Sequence, residues 1–177
     1  MSKDIEINPR TIMKALAAKL NASDEQLICA QNMASAILED SKNHCAITMS
    51  SLLIFNQLYP VGIYKGRENL QAGALDLAKD LKGHGWKATN LADIAKEPFD
   101  AGDIGVVDDG HGTHHIYLIL DASDQKNPKI ADNQAPPHKR PVEGGQMNGV
   151  GGATVTKYFL RAPDIKDRVK LLEQVAV

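Results

Sequence analysis

Cys45 is the residue whose type and setting point most directly to chemistry. It stands at the expected start of an apolar helical run that carries Ala46, Met49, Leu52, Leu53 and Phe55. The positive end of a helix favours a thiolate over a thiol. A thiolate nucleophile needs an imidazole partner, and that imidazole needs a third group to orient it. His114 and His115 open the strongest strand-like stretch in the chain, His114–Leu120. Further on, Ile130-Ala131-Asp132-Asn133-Gln134 sets a carboxylate and two amides at the end of a second expected strand. If those strands are neighbours, a cysteine, a histidine and a carboxylate or amide meet in that chain order. The chemistry would be acyl transfer through a thioester. Each feature alone is commonplace: a cysteine in an apolar helix is usually a small core residue, and a histidine at a strand edge is usually solvated. Their ordered combination carries the reading.

Alternation along a strand does not choose between the histidines. His115 shares a face with Tyr117 and Ile119, and His114 shares one with Ile116, Leu118 and Leu120. Asp132 and Gln134 share a face opposite Asn133, and an amide at Asn133 would also accept from an imidazole N–H. Cys29 differs from Cys45, lying mid-helix between Ile28 and Ala30. Two cysteines are too few for a disulfide framework. A metal site built from Asp108, Asp109, His111, His114 and His115 fits no standard zinc spacing. A solvated hairpin turn accounts better for Asp108-Asp109-Gly110-His111-Gly112. Neither a metal nor a cofactor is expected.

The elements that must position these residues follow from pattern. Pro9 suits a first helical turn, with Ile12, Leu16 and Leu20 behind it. Ser23 and Gln26 form a capping-box pattern ahead of a stripe of Leu27, Ala30, Ala34, Ile37 and Leu38. The Cys45 helix should run from near His44 and stop before Pro60. A further helix is expected over Glu68–Leu81, stopped at Gly83. Strands are expected over Ile104–Val107, His114–Leu120, Lys129–Gln134 and Thr154–Leu160, with a Pro- and Gly-rich loop over Ala135–Ala153 and a closing helix over Asp164–Gln174. Helices first and strands second argue for an α+β fold with an antiparallel sheet.

The chain has 177 residues, which suits one domain. Its net charge of −2 makes no electrostatic case for nucleic acid or an acidic membrane surface. No stretch approaches the roughly 18 apolar residues of a membrane span. Met1–Arg10 is polar and lacks the apolar core of a secretory signal. The expected location is cytoplasmic as synthesised, with export by a leaderless route compatible with the sequence.

Three segments resemble the NlpC-type and CHAP-type amidases, papain-like cysteine peptidases that cut the peptides of bacterial cell walls. His44-Cys45-Ala46-Ile47-Thr48-Met49-Ser50 is similar to their nucleophile helix. Ala101-Gly102-Asp103-Ile104-Gly105-Val106-Val107 resembles their Gly-Asp turn-and-strand signature, and His115-Ile116-Tyr117-Leu118-Ile119-Leu120 resembles their histidine strand. Asp132-Asn133-Gln134 takes the place of the family's third polar residue, where CHAP domains carry Glu-x-Asn. The resemblance covers roughly residues 43–160. It implies a papain-like fold, with Cys45, His115 and Asp132 as the catalytic set and His114, Asn133 and Gln134 as alternates. It also implies a peptidoglycan stem-peptide substrate and, for a secreted antibacterial effector, an immunity or inhibitor protein as partner. Ala46 departs from the serine common after the nucleophile, and the small residue common two positions after the histidine is replaced by Tyr117 if His115 is the base or by Ile116 if His114 is.

A single domain is expected, with 1–42 as a helical extension, 43–160 as catalytic core and 161–177 as a C-terminal helix. Two other function classes share these features: a non-catalytic papain-fold module that binds a peptide or partner, and a transglutaminase or acyltransferase using the same triad.

Overall fold

Backbone hydrogen bonding divides the chain into helices and then strands, as the segregated patterns require. The computed structural model describes residues 20–37, 44–56, 73–134, 136–145 and 154–163. Among these, the helices are α1 (Asp24–Ile37), α2 (His44–Phe55) and α3 (Ala74–Gly83). The strands are β1 (Lys87–Asn90), β2 (Ile104–Asp108), β3 (His114–Asp121), β4 (Lys129–Ala131), β5 (His138–Lys139) and β6 (Thr156–Arg161). The fold is α+β. The expected helices after Pro9 and over 164–174 lie outside the described residues, as does most of the glycine-rich part of the 135–153 loop.

The capping box forms as its spacing dictates. Ser23 Oγ accepts from the Gln26 N–H at 3.2 Å, and Gln26 Oε1 accepts from the Ser23 N–H at 3.1 Å. This anchors α1, which buries Leu27, Ala30 and Ala34. Helix α2 shows no amphipathic stripe because it is buried on every side: Ala46 through Leu53 are all buried. Its serines survive there by turning inward. Ser50 Oγ donates to the Ala46 carbonyl at 2.7 Å and Ser51 Oγ to that of Ile47 at 2.9 Å. Of the helix expected over Glu68–Leu81, residues 68–72 lie outside the described residues, and the rest forms α3. Gly73 keeps an extended backbone (ψ 172°), so the helix begins at Ala74. It ends at Gly83, where the His84 N–H caps the Asp80 and Leu81 carbonyls.

The strands form one antiparallel sheet in the order β1-β6-β2-β3-β4-β5. Both of its faces are covered. Ile104, Val106, Ile116, Leu118, Ala131 and Leu160 pack under the helices. Val107, Tyr117, Ile119, Ile130 and Phe159 form a second core with Phe99 and Val142 on the other face. That is why β3 reads as an unbroken apolar run rather than an alternating one.

The Gly-Asp pair ahead of β2 has a structural role. Asp103 is buried and accepts from the Asp100 N–H at 2.9 Å. Arg161 Nη2 at the end of β6 donates to it at 2.7 Å. Gly105 leaves room for the Tyr117 ring, which lies across β2 and shares a 2.7 Å hydrogen bond with Thr156 Oγ1 on β6. Burial pushes the Tyr117 hydroxyl up to about 12, against the opposing pull of that hydrogen bond and of Arg140.

Strand β4 is shorter than its apolar-to-polar pattern suggested, ending at Ala131 instead of reaching Gln134. The difference matters, because past Ala131 the chain leaves the ladder beside the first half of β3. The two-residue strand β5, and β1 with it, were not expected. No helix among the described residues is long and apolar enough to cross a membrane.

A methyl group at residue 105 would overlap the Tyr117 ring, closest to Cζ. Gly105→Ala should therefore destabilise the fold by about 1–3 kcal/mol, the usual cost of overpacking. Urea unfolding should show a lower midpoint for Gly105→Ala, with partial recovery when Tyr117→Leu is added. An unchanged midpoint in Gly105→Ala would contradict this packing.

Candidate active site

Cys45 is the second residue of α2, so its N–H is among the first-turn amides that have no partner within the helix. The packing of α2 on β3 brings the thiol to the start of that strand. There the Cys45 side chain lies close enough to the ring of His115 to help hold the imidazole above its ordinary value. His115 Nε2 lies 2.9 Å from Asp132 Oδ2. With Nε2 taken by the carboxylate, Nδ1 is the ring nitrogen left for the thiol.

Register explains how Asp132 arrives. Leu118 pairs with Ala131 and Ile119 with Ile130. Asp132 follows directly, on the face that carries Ile130, Tyr117 and His115. It therefore approaches His115 diagonally across the two strands, a separation that side chains can bridge. Two further bonds fix it. Asp132 Oδ1 accepts from the Gln134 N–H at 2.8 Å, and its backbone carbonyl accepts from Gln31 Nε2 on α1 at 2.7 Å. Helix α1 is thus more than a cover: it packs on α2 and holds the residue that orients the histidine.

The electrostatics are those of a desolvated chain of charges. Asp132 is 1% exposed. Burial pushes its carboxyl up, but the His115 hydrogen bond and charge, the Gln134 N–H and the charge of His138 outweigh that, and the carboxyl is held below its usual value. For His115, burial pushes the ring down, whereas Asp132 and Cys45 pull it up, with a net rise above the ordinary imidazole value. A proton on His115 is consequently bound more tightly in the folded chain than in the unfolded one. The stability it contributes is complete below about pH 6.5 and is lost as pH rises through the folded midpoint. Asp132 runs the other way: its contribution is complete above about pH 3.9 and is lost as pH falls through its folded midpoint.

The other expected residues lie apart from this array. His114 points to the opposite face and sits 3.6 Å from Asp108, with over a third of its side chain exposed. Asn133 buries its Oδ1 without a hydrogen-bond partner. Gln134 is exposed and contributes its backbone N–H alone to the array. The Asp108–Gly112 turn is a self-satisfied hairpin: Asp109 Oδ1 accepts from the N–H groups of His111 at 2.7 Å and Thr113 at 3.0 Å. These bonds hold the Asp109 carboxyl down at about 2.

Two residues near the array carry no signal in the sequence. Gln31 looks like any polar residue on an outer helix face. His138 sits in what reads as a Pro-rich loop, yet its Nε2 is 3.9 Å from Asp132 Oδ2. Arg140 was missed too. It is 2% exposed, and its guanidinium stacks 5.3 Å above the Tyr117 ring.

The geometry sets the titration of His115. Ring-nitrogen NMR should place its midpoint above 6.5, and Asp132→Asn should lower it by about one unit or more, since a buried charge partner is removed. A midpoint at or below 6.5, insensitive to Asp132→Asn, would contradict the pairing.

Compared with family models, with curated proteins and with solved structures, the chain matches none, so the chemistry of the site rests on its own geometry.

Proposed function

We propose that the chain is a cysteine amidase or peptidase in which Cys45 is the nucleophile, His115 the proton carrier and Asp132 the group that orients His115. One observation carries this reading: a helix-start cysteine lies beside a histidine ring whose Nε2 is hydrogen-bonded to a buried carboxylate. Structural cysteines need no such partner. A solvated histidine needs no buried aspartate fixed by two further backbone hydrogen bonds.

The reaction follows from the parts. Transfer of the Cys45 proton to His115 gives a thiolate beside an imidazolium, a state that Asp132 stabilises. The thiolate adds to an amide carbonyl. The N–H of Cys45, which has no partner within its helix, donates to the oxyanion as it forms. His115 then delivers its proton to the leaving amine, and a thioester remains. A water molecule, deprotonated by His115, hydrolyses that thioester and frees Cys45. No metal or cofactor takes part in this scheme.

The finer fold assignment, papain-like, and the substrate class, peptidoglycan stem peptides, rest on the likeness of the Cys45, Gly102-Asp103 and His115 segments to the NlpC- and CHAP-type amidases. The order of parts is compatible with that likeness: a nucleophile helix packed on an antiparallel sheet whose neighbouring strands supply histidine and carboxylate. A hydrolase of this kind that acts on other bacteria requires an immunity or inhibitor protein in the cell that makes it.

Purified sacculi incubated with the protein should release peptide fragments that mass spectrometry assigns to cleavage of one amide. Cys45→Ala should abolish release, and His115→Ala should lower it by about a thousandfold or more. His114→Ala should leave the rate near that of the wild type. Products joined to an added amine, instead of free acids, would identify an acyltransferase. Equal release by the wild type and Cys45→Ala would sink the proposal.

A further inference from the structure

Asp132 has a second histidine beside it. His138, at the start of β5, places Nε2 3.9 Å from Asp132 Oδ2, the oxygen already bonded to His115. Its Nδ1 lies 3.0 Å from the carbonyl oxygen of Pro136. A carbonyl only accepts, so Nδ1 carries a hydrogen in that bond. A neutral ring with its hydrogen on Nδ1 turns a bare lone pair from Nε2 toward a carboxylate. That Nε2 is buried and has no hydrogen-bond partner. Buried polar atoms in native proteins are almost always partnered, and an exception calls for a cause. A second proton, on Nε2, removes the repulsion: it turns the lone pair into a positive group that faces Asp132 at ion-pair distance.

Charge counting leads to the same place. In the reactive state the Cys45 thiolate and the His115 imidazolium cancel, which leaves the charge of Asp132, whose residue is 1% exposed. A His138 imidazolium balances it. Among the described residues, the charge that faces this ring is that of Asp132, which in turn meets His115. Arg140, two residues on, is turned against Tyr117, and Lys139 pairs with Asp124 at 3.9 Å. Lys129 stands opposite Lys139 in the β4–β5 ladder and is exposed.

We propose that His138 is a positioning residue of this site: anchored through Nδ1–H on the Pro136 carbonyl, its ring faces Asp132 Oδ2 at ion-pair distance and, as an imidazolium, balances the carboxylate's charge while Cys45 and His115 react. The proposal rests on reading Cys45, His115 and Asp132 as a catalytic array. It has a signed consequence. With His138 charged, the pull of Asp132 on His115 is shared. Without it, Asp132 acts on His115 alone, and His115 keeps its proton to higher pH.

The test is the pH dependence of Cys45 alkylation by iodoacetamide on the full chain, with peptide mapping to count Cys29 apart. His138→Gln should move the inflection at which His115 loses its proton upward by about half a pH unit or more, as loss of a nearby cation does. His138→Lys, which keeps the cation, should return it toward the wild-type position. A folded His138→Gln protein with the wild-type profile overturns the proposal. Should that variant fail to fold, ring-nitrogen NMR of the wild type decides. Protons on both His138 nitrogens at the pH of greatest Cys45 reactivity support the proposal, whereas a neutral Nδ1–H ring throughout that range overturns it. A profile unmoved by both His115→Ala and Asp132→Asn sinks the catalytic reading itself. One that responds to those two but not to His138→Gln sinks the role of His138 alone.

Discussion

The contact between His115 and Asp132 is the constraint around which the described structure is arranged. A carboxylate with 1% exposure stays charged only if hydrogen bonds and an opposite charge replace the water it has lost. Two elements supply them, and a third holds the backbone that carries the carboxylate. Strand β3 brings the imidazole, the turn after β4 brings the Gln134 N–H, and α1 fixes the backbone of Asp132 through Gln31. Strand β4 leaves the ladder at Ala131, and the turn that follows sets the Gln134 N–H on the Asp132 carboxylate. A short strand, a buried helix and a polar residue on an outer helix are in this sense one device.

The rest of the sheet holds that device in register. A slip of one residue between β3 and β4 would send Asp132 to the helix face and leave His115 without a partner. Several contacts prevent it. Tyr117 bridges β2 to reach Thr156, with Arg140 stacked on the ring, so the face beneath the site is locked by a cross-sheet hydrogen bond and a cation. Asp103 and Arg161 tie the start of β2 to the end of β6. Phe99 stacks on Phe159 at 4.4 Å and closes the same face. The apolar residues give the sheet its two covered sides, and the few buried polar ones give it a single alignment.

Much of this was legible in the chain. The Ser23–Gln26 cap, the apolar helix behind His44 and the β-branched stretches at Ile104 and His114 mark elements close to those that form, because each depends on local pattern. Cys45, His115 and Asp132 could be picked out by residue type, chain order and likeness to known segments. Strand pattern alone did not say which of two adjacent histidines meets the carboxylate, since alternation assigns them to opposite faces without saying which face is which. The register of β3 against β4 decides that, and register is a long-range property. Gln31, 101 residues from its partner, and His138, in a Pro-rich turn, were invisible for the same reason. So was β5, whose two residues carry no period at all.

The two cysteines provide the most direct measurement, because exposure and activation favour opposite residues. Cys29 is exposed on α1, and Cys45 is half-buried at the start of α2. By access alone, Cys29 reacts first. Limiting iodoacetamide at about pH 6, where an ordinary thiol is almost wholly protonated, followed by peptide mass mapping, separates the two. An activated Cys45 takes the first label, and His115→Ala removes that preference. Labelling of Cys29 ahead of Cys45, unchanged by His115→Ala, would contradict the account of Cys45 as a nucleophile.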